Sequence, residues 1–483
     1  MATLTAVELL TMDSVALQER LTAGLLSSVD LVKQCLQQIE THDRRGLKLN
    51  AMISIVPYQT LMTRSKQLDQ ERAEDHVRGP LHGIPMLVKD AISTRASLGV
   101  PTTLGSYAFQ NSFPQSNSKV IEKKWVSLFW AKQILMSWLD QKVTVLTPTA
   151  GQHLAGRPTA PTWCGSPTRS NLANMTPSYG SIVMPATRAA LYALKPALDS
   201  TEMDGIARTS KNKDVPQYRE RISKGHLTDF LTKSFKGLRI GFLDPRVWKY
   251  PSDTANTPED MVIEMRETLE AVISKIGSEE DVHVEYPVSI PMISDLNVEG
   301  KPSLGIILSY EAKQAFEDWF REAEVDGIKT LEDLIKFNED HASIEFDTEH
   351  PDQGQLLRAS RNPPSKELYE KAVFHSRNVA KDQGIGKLFI EKNLDLLAYS
   401  MDALVHNIAA AAGYPIATVP LGLTSDGRPM GMGIMAQSGK EGLMLQFMSA
   451  MEAHFPPRER SRNACLNSSQ CQEGSMRRPK EIR

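Results

Sequence analysis

Cysteine is scarce in this sequence: 483 residues hold four, Cys35, Cys164, Cys465 and Cys471. They are too few and too scattered for a disulfide framework, and no Cys-x-x-Cys pair offers a zinc or redox site. A reducing compartment is therefore expected. Long apolar runs are missing as well. The strongest, Ile408 to Leu421, is broken by Gly413, Pro415 and Pro420 and falls short of the roughly 20 residues that a bilayer demands of a helix. The opening stretch MATLTAVELLTMDSVALQER has no charged segment followed by an apolar one, so no secretory leader is expected and the chain is read as soluble and cytoplasmic. Nor is charge of one sign in excess, since 55 basic against 58 acidic side chains leave a net charge of −3. That balance supplies no electrostatic footprint for nucleic acid.

The common catalytic signatures are absent too. There is no phosphate loop, no dinucleotide fingerprint, no His-Glu-x-x-His and no Gly-x-Ser-x-Gly elbow. Eleven histidines are present, but no two stand at a metal-ligand spacing, and neither a metal nor an organic cofactor is expected. His82, in the turn PLHGIP, is read as a structural residue rather than a base.

What is present is ordinary globular composition, 41% hydrophobic and 23% charged, in a chain long enough for a large core. The first 40 residues read as helix, with Ser27 and Asp30 in a capping-box pattern ahead of Val29, Val32, Leu36 and Ile39 at helical spacing. A second helix is predicted over 258–276, with Thr257 as N-cap, Pro258 in the first turn and Gly277 as stop. It separates two strand-like runs, 238–243 and 282–286. Strand, helix, strand at this spacing is a βαβ unit, which requires a parallel pair. Further strands are predicted at 84–88, 143–146, 416–420 and 431–436, with an amphipathic helix over 442–452. The fold class is α/β, a mixed sheet surrounded by helices. Residues 147–181 are dominated by Gly, Pro, Ser and Thr and are expected to be irregular. The tail 456–483, with seven basic against three acidic residues, is expected to be disordered.

Two segments carry chemistry. In GPLHGIPMLVKD, at 79–90, turns rich in Gly and Pro lead into the apolar run Met86-Leu87-Val88, which ends in Lys89 and Asp90. Desolvation at the end of a buried strand lowers a lysine pKa from about 10.4 toward the range where the amine accepts a proton; snorkelling to solvent is the competing reading. In YGSIVMPATRAALYALKP, at 179–196, Gly180 before Ser181 permits a tight turn whose N–H groups converge as an oxyanion nest, with a hydroxyl at its edge.

Together these blocks resemble the amidase signature family, as do SSVDLVKQCLQQIETHDRRGLKLNAMISI before them and IAAAAGYPIATVPLGLTSDGRPMGMGIMAQ after them. The chain is similar in particular to the fungal-type amidases related to the A subunit of glutamyl-tRNA amidotransferase. The resemblance implies hydrolysis of a small-molecule carboxamide by a Ser, cis-Ser, Lys triad. Lys89 matches the general base and Ser181 the nucleophile, and the backbone N–H groups of Ser178, Tyr179, Gly180 and Ser181 match the oxyanion hole. It also implies an N-terminal helical region, 1–65, packed on an amidase signature domain, 66–455. A homodimer is left open.

One block departs from the pattern. The family's serine-rich segment, whose second serine bridges base and nucleophile, falls upstream of Ser181 at a spacing that lands on Arg157. The nearest relic is Cys164-Gly165-Ser166-Pro167, with proline at the bridging position and Ser166 the nearest hydroxyl. Tyr179 stands where the family usually has an acidic residue. Segment 115–178 is atypical throughout while its flanks are intact, so the departure is local and fits a replaced segment better than gradual drift. Three readings remain open: an amide hydrolase, impaired or not; a catalytically silent amidase-like protein; and an amidotransferase-type subunit.

Overall fold

The computed structural model describes residues 8, 12–46, 48, 51–122, 128–133, 183–184, 186–187, 191–197, 227–248, 258–346, 352–400, 403–425, 427 and 429–455. The expected strand at 143–146, the irregular segment 147–178 and the tail 456–483 lie outside them.

The chain begins with two helices, α1 (Ser14–Thr22) and α2 (Ser28–His42), where the sequence suggested one. The break has a local cause. Gly24 adopts φ +67°, a left-handed stop that glycine tolerates without strain, and Ser27 then starts a new helix. Its Oγ accepts from the Asp30 N–H at 3.0 Å, and the same hydroxyl contacts the Asp30 carboxylate at 2.7 Å. Next come β1 (Met52–Ile55), α3 (Tyr58–Ala73), β2 (Pro85–Lys89) and β3 (Leu128–Gln133). These strands form a three-stranded sheet in the order β1-β3-β2, with β1 antiparallel and β2 parallel to β3. Val32 of α2, Leu61 and Leu68 of α3, Met52 and Val88 bury one side of it. Cys35 lies at the edge of that cluster, and burial pushes its thiol up to about 11, which makes it a packing residue rather than a nucleophile.

Beyond these come β4 (Ala193–Lys195), β5 (Arg239–Leu243), α4 (Glu259–Gly277) and β6 (His283–Val288), then a helical run of α5 (Ser303–Glu322), α6 (Leu331–Asp340) and α7 (Gly354–Arg361). The chain returns through β7 (Leu396–Ser400), α8 (His406–Ala412), β8 (Ile416–Leu423), β9 (Pro429–Ala436) and α9 (Glu441–His454). Strands β4 to β9 make a six-stranded mixed sheet in the order β4-β8-β9-β7-β5-β6. β5 is parallel to β6 and β7, and the other pairs are antiparallel. The expected βαβ unit is therefore present, with Pro258 rather than Thr257 at the N-cap of α4 among the described residues.

Period-two alternation on these strands divides the core into two layers. Ile240, Phe242, Leu396, Ala398, Ala417, Val419, Met432 and Ile434 face Leu269, Val272 and Ile276 of α4 and Met444, Phe447 and Met451 of α9. Leu243, Leu397, Tyr399, Ile416 and Met435 face the opposite layer, which includes Ile408 and Ala412 of α8. The apolar run that fell short of a membrane span is thus a buried helix and strand, and no helix among the described residues is long and apolar enough to cross a membrane. The helical run has a core of its own. Phe316, Trp319, Phe320, Leu331, Leu334 and Leu356 enclose Phe109, which arrives from the loop after β2 and meets Trp319 edge to face at 5.2 Å.

A close cross-strand contact between β9 and β7 sets a prediction. A Cβ on Gly433 would lie 2.4 Å from the Tyr399 ring, so Gly433→Ala should lower unfolding free energy by about 1–3 kcal/mol through overpacking. Gly305, in α5, has nothing nearer than 4.0 Å to an added Cβ, and Gly305→Ala should stabilise by about 0.5 kcal/mol through helix propensity. Urea titrations of both variants read the two signs.

Candidate active site

The lysine strand is delivered by a turn whose parts are all constrained. The His82 N–H bonds to Gly79 O at 3.0 Å and the Ile84 N–H to Leu81 O at 3.1 Å. Gly83 sits at φ +82° with its α-carbon against α2, where a Cβ would fall 2.2 Å from Ser28 Oγ. His82 is fully buried. Its Nδ1 accepts from the Arg78 N–H at 3.1 Å, so its proton sits on Nε2 and is donated to Leu68 O at 2.9 Å. Both ring nitrogens are occupied by main chain, which leaves His82 the structural role expected of it. Its carbonyl accepts in turn from Arg72 at 2.7 Å and Gln18 at 2.8 Å.

Lys89 closes β2, opposite Gln133 of β3. Its neighbour Val88 points into the first core while Lys89 itself is half-buried. Withdrawal from water lowers its amine from 10.5 to about 7, a fall that the nearby Asp90 carboxylate opposes. An amine near 7 is substantially neutral at physiological pH and can take a proton from a hydroxyl. Of the two readings open from sequence, the structure thus favours the desolvated lysine over a snorkelling one. Asp90, directly after it, is buried and held by Thr103, whose N–H donates to Oδ2 at 3.1 Å and whose hydroxyl donates to the same oxygen. The chain turns back after the strand through an Ile92 N–H bond to Lys89 O at 3.0 Å.

The remaining predicted site residues, Ser181, Ser178, Tyr179, Gly180 and Ser166, lie outside the described residues. The chain just past Ser181 is described. Val183 is fully buried in the layer that holds Tyr399, Ile416 and Met435, and Thr187, one turn on, contacts Val183 O at 2.8 Å and the Thr418 hydroxyl of β8 at 2.6 Å. Gly431 on β9 leaves room for it, since a Cβ there would lie 2.6 Å from the Thr187 methyl. The segment following the candidate nucleophile is thereby pinned to β8 and β9 of the large sheet, and the candidate base ends a strand of the small one. Sequence reasoning missed Thr103 and Thr418. Thr103 left a signal, because hydroxyl residues spaced around Gly105 are a turn pattern. Thr418 left none, being one β-branched residue in an apolar strand. Among the described residues no group of three or more His, Cys, Asp or Glu could hold a metal ion.

Comparison with known proteins is consistent along most of the chain. The Amidase family profile matches residues 30–124. A Schizosaccharomyces pombe protein named as a putative amidase is 24% identical over 90% of this chain and 84% of its own length. The A subunit of glutamyl-tRNA(Gln) amidotransferase from Chloroflexus aurantiacus is 34% identical, over only 22% of this chain and 21% of its own. Among solved structures, the native peptide amidase of Stenotrophomonas maltophilia superposes with a TM-score of 0.71 at 24% identity, covering 93% of this chain and 98% of that one. An amidase family protein of Bacillus anthracis superposes with a TM-score of 0.72 at 20% identity, covering 94% and 93%.

The lysine makes a prediction about stability. Between pH 7 and 10.5 the unfolded chain holds a proton on Lys89 that the folded chain has released, so wild-type stability contributed by this group rises with pH through that window. Lys89→Met removes that slope. The variant should exceed wild type most in urea at pH 6, with the advantage shrinking steadily toward pH 10. Parallel pH profiles for the two proteins would show that Lys89 titrates normally.

Proposed function

The chain belongs to the amidase signature family, and from that premise we propose that it hydrolyses the C–N bond of a small carboxamide, with Ser181 as nucleophile and Lys89 as base. The observation that carries the reading is the amine at the end of β2, lowered to about 7 by withdrawal from water inside the segment that the family profile covers. A base without that shift would be protonated and idle.

In this scheme the Ser181 hydroxyl oxygen attacks the amide carbon while its proton passes, through a bridging hydroxyl or water, to the neutral Lys89 amine. The tetrahedral oxyanion is stabilised by the N–H groups of Ser178, Tyr179, Gly180 and Ser181. Collapse breaks the C–N bond, and the leaving nitrogen takes the proton from the Lys89 ammonium. Water, deprotonated by the same lysine, then splits the acyl ester, releasing the carboxylic acid and regenerating the Ser181 hydroxyl. Ser166 is the nearest hydroxyl in sequence to the family's bridging position, where this chain has Pro167. That substitution favours a second reading, a protein that keeps the fold and loses the chemistry, because removing one member of a catalytic unit costs several powers of ten in rate.

A serine-directed fluorophosphonate separates the two readings, since labelling needs an activated nucleophile rather than the right substrate. On the hydrolase reading the wild-type chain is labelled, Ser181→Ala is not, and Lys89→Ala loses at least about 100-fold in rate, in the range of a general base. The labelling rate climbs with pH and levels off above about 7 as Lys89 sheds its proton. Loss of labelling in Ser166→Ala identifies Ser166 as the bridge, and retention assigns the bridge to water. A folded wild-type chain that takes no label at any pH would sink the hydrolase reading.

A further inference from the structure

The loop that follows the lysine strand is gripped by a carboxylate at each end. At the near end, the Asp90 carboxylate accepts the N–H and the hydroxyl of Thr103, and the Thr103 oxygen accepts from the Gly105 N–H at 3.1 Å. At the far end, Glu345 Oε1 accepts the Ser106 hydroxyl at 3.2 Å and the Tyr107 N–H at 3.0 Å, and the Ser106 oxygen accepts from the Ala108 N–H at 3.1 Å. The two ends repeat one device: a hydroxyl takes a hydrogen bond from the main-chain N–H two residues on and passes its own proton toward a buried carboxylate. They are joined by the Ser106 N–H bond to Thr103 O at 2.9 Å.

Glu345 belongs to the helical run, in the short helix Ala342–Glu345 after α6, and the contact spans 239 positions of sequence. It is fully buried, where an acidic side chain is costly unless donors converge on it. Phe109, two residues past Tyr107, is locked by Trp319 and Phe320 of the same run, with ring centroids 5.2 and 5.6 Å away. The run therefore holds the loop by a polar and an apolar contact side by side. A helix end or turn alone would not need a carboxylate brought from so far.

We propose that Glu345 is a positioning residue for the Lys89 base, acting through Ser106 and Thr103 on Asp90 and so keeping water from the lysine amine. The inference rests on the assignment of Lys89 as the base. Loosening the far grip frees residues 103–107, withdraws the Thr103 donors from Asp90 and hydrates the end of β2. Since withdrawal from water is the chief cause of the lowered lysine pKa, with the Asp90 charge opposing it, hydration returns Lys89 toward its ordinary range. The titratable groups around the relay are Asp90 at one end and Tyr107 at the other, with Asp326 and His341 on the cavity that Tyr107 and Ile344 also line. Glu345 is itself pushed up to about 7 by burial against its hydrogen bonds.

The test reads the lysine directly and needs no turnover. Trace acylation of the full-length chain with acetic anhydride across pH, with Lys89 quantified by peptide mass spectrometry, yields the pH at which its amine becomes nucleophilic. In Glu345→Ala that midpoint should rise by at least one unit, a roughly tenfold loss of neutral amine at pH 6. Glu345→Gln keeps an acceptor oxygen for Ser106 and Tyr107 without the charge, and should restore the wild-type midpoint. Ser106→Ala, which leaves the Tyr107 bond in place, should shift it in the same direction by less, and it serves if Glu345→Ala does not fold. An unchanged Lys89 midpoint in folded Glu345→Ala or Ser106→Ala, with only a lower melting temperature, overturns the proposal and makes Glu345 purely structural. Fluorophosphonate labelling of the same samples keeps the outcomes apart: an unlabelled wild type defeats the hydrolase reading, whereas a fixed midpoint defeats the relay.

Discussion

A lysine can serve as a base near neutral pH only where its ammonium form is made unfavourable, and the surroundings of Lys89 at the end of β2 meet that requirement. β2 carries Lys89 out of water on an apolar run, and the turn before it is immobilised by a buried histidine whose two nitrogens bond main chain. Asp90 limits the effect. A carboxylate beside the amine favours the charged form, yet it is tied by Thr103, which gives its charge a fixed place. The resulting pKa of about 7 is a balance between desolvation and one ion.

The balance cannot be local, because a three-stranded sheet alone does not exclude water from its own edge. The helical run between α5 and Glu345 grips the loop that follows the strand. Phe109 enters its aromatic cluster and Ser106 and Tyr107 bond Glu345, so the stretch from Thr102 to Ser112 is built into a different part of the chain from the strand it follows. The same logic holds on the other side. Thr187 reaches the Thr418 hydroxyl on β8, anchoring the segment past Ser181 on the large sheet. Lys89 ends a strand of the small sheet, and Thr187 is tied to a strand of the large one, so two separate sheets carry the described residues nearest the proposed site.

The weak link in the chemistry is the bridge. A proton relay needs a hydroxyl or water between oxygen and amine, and Pro167 offers no hydroxyl. The described parts of the molecule retain what lies on both sides of the atypical segment: the lowered amine on one, the pinned helical turn at Val183 and Thr187 on the other.

Much of the architecture was legible because periodicity reports burial. The apolar runs 416–420 and 431–436 marked strands, Pro258 and Gly277 bracketed a helix, and the βαβ unit followed from spacing alone. The lysine block was legible for the same reason: an apolar run ending in Lys-Asp states what the amine is surrounded by along the chain. The helix break at Gly24 was missed since a single glycine in a helical pattern is ambiguous until its φ is known. Thr418 and Glu345 were beyond sequence reasoning for a deeper reason. Each acts through a partner brought from elsewhere by the fold, 231 positions away for Thr418 and 239 for Glu345, and a hydroxyl or carboxylate carries no mark of a distant partner. The sequence by itself determined the α/β class with a mixed sheet, the candidate base and the resemblance to amidases, because these depend on local composition and motif; that β2 stands in a small sheet of its own was not foreseen. Only the tertiary structure decided how far Lys89 is withdrawn from water, because desolvation is a property of everything packed around a group and not of its neighbours in the chain.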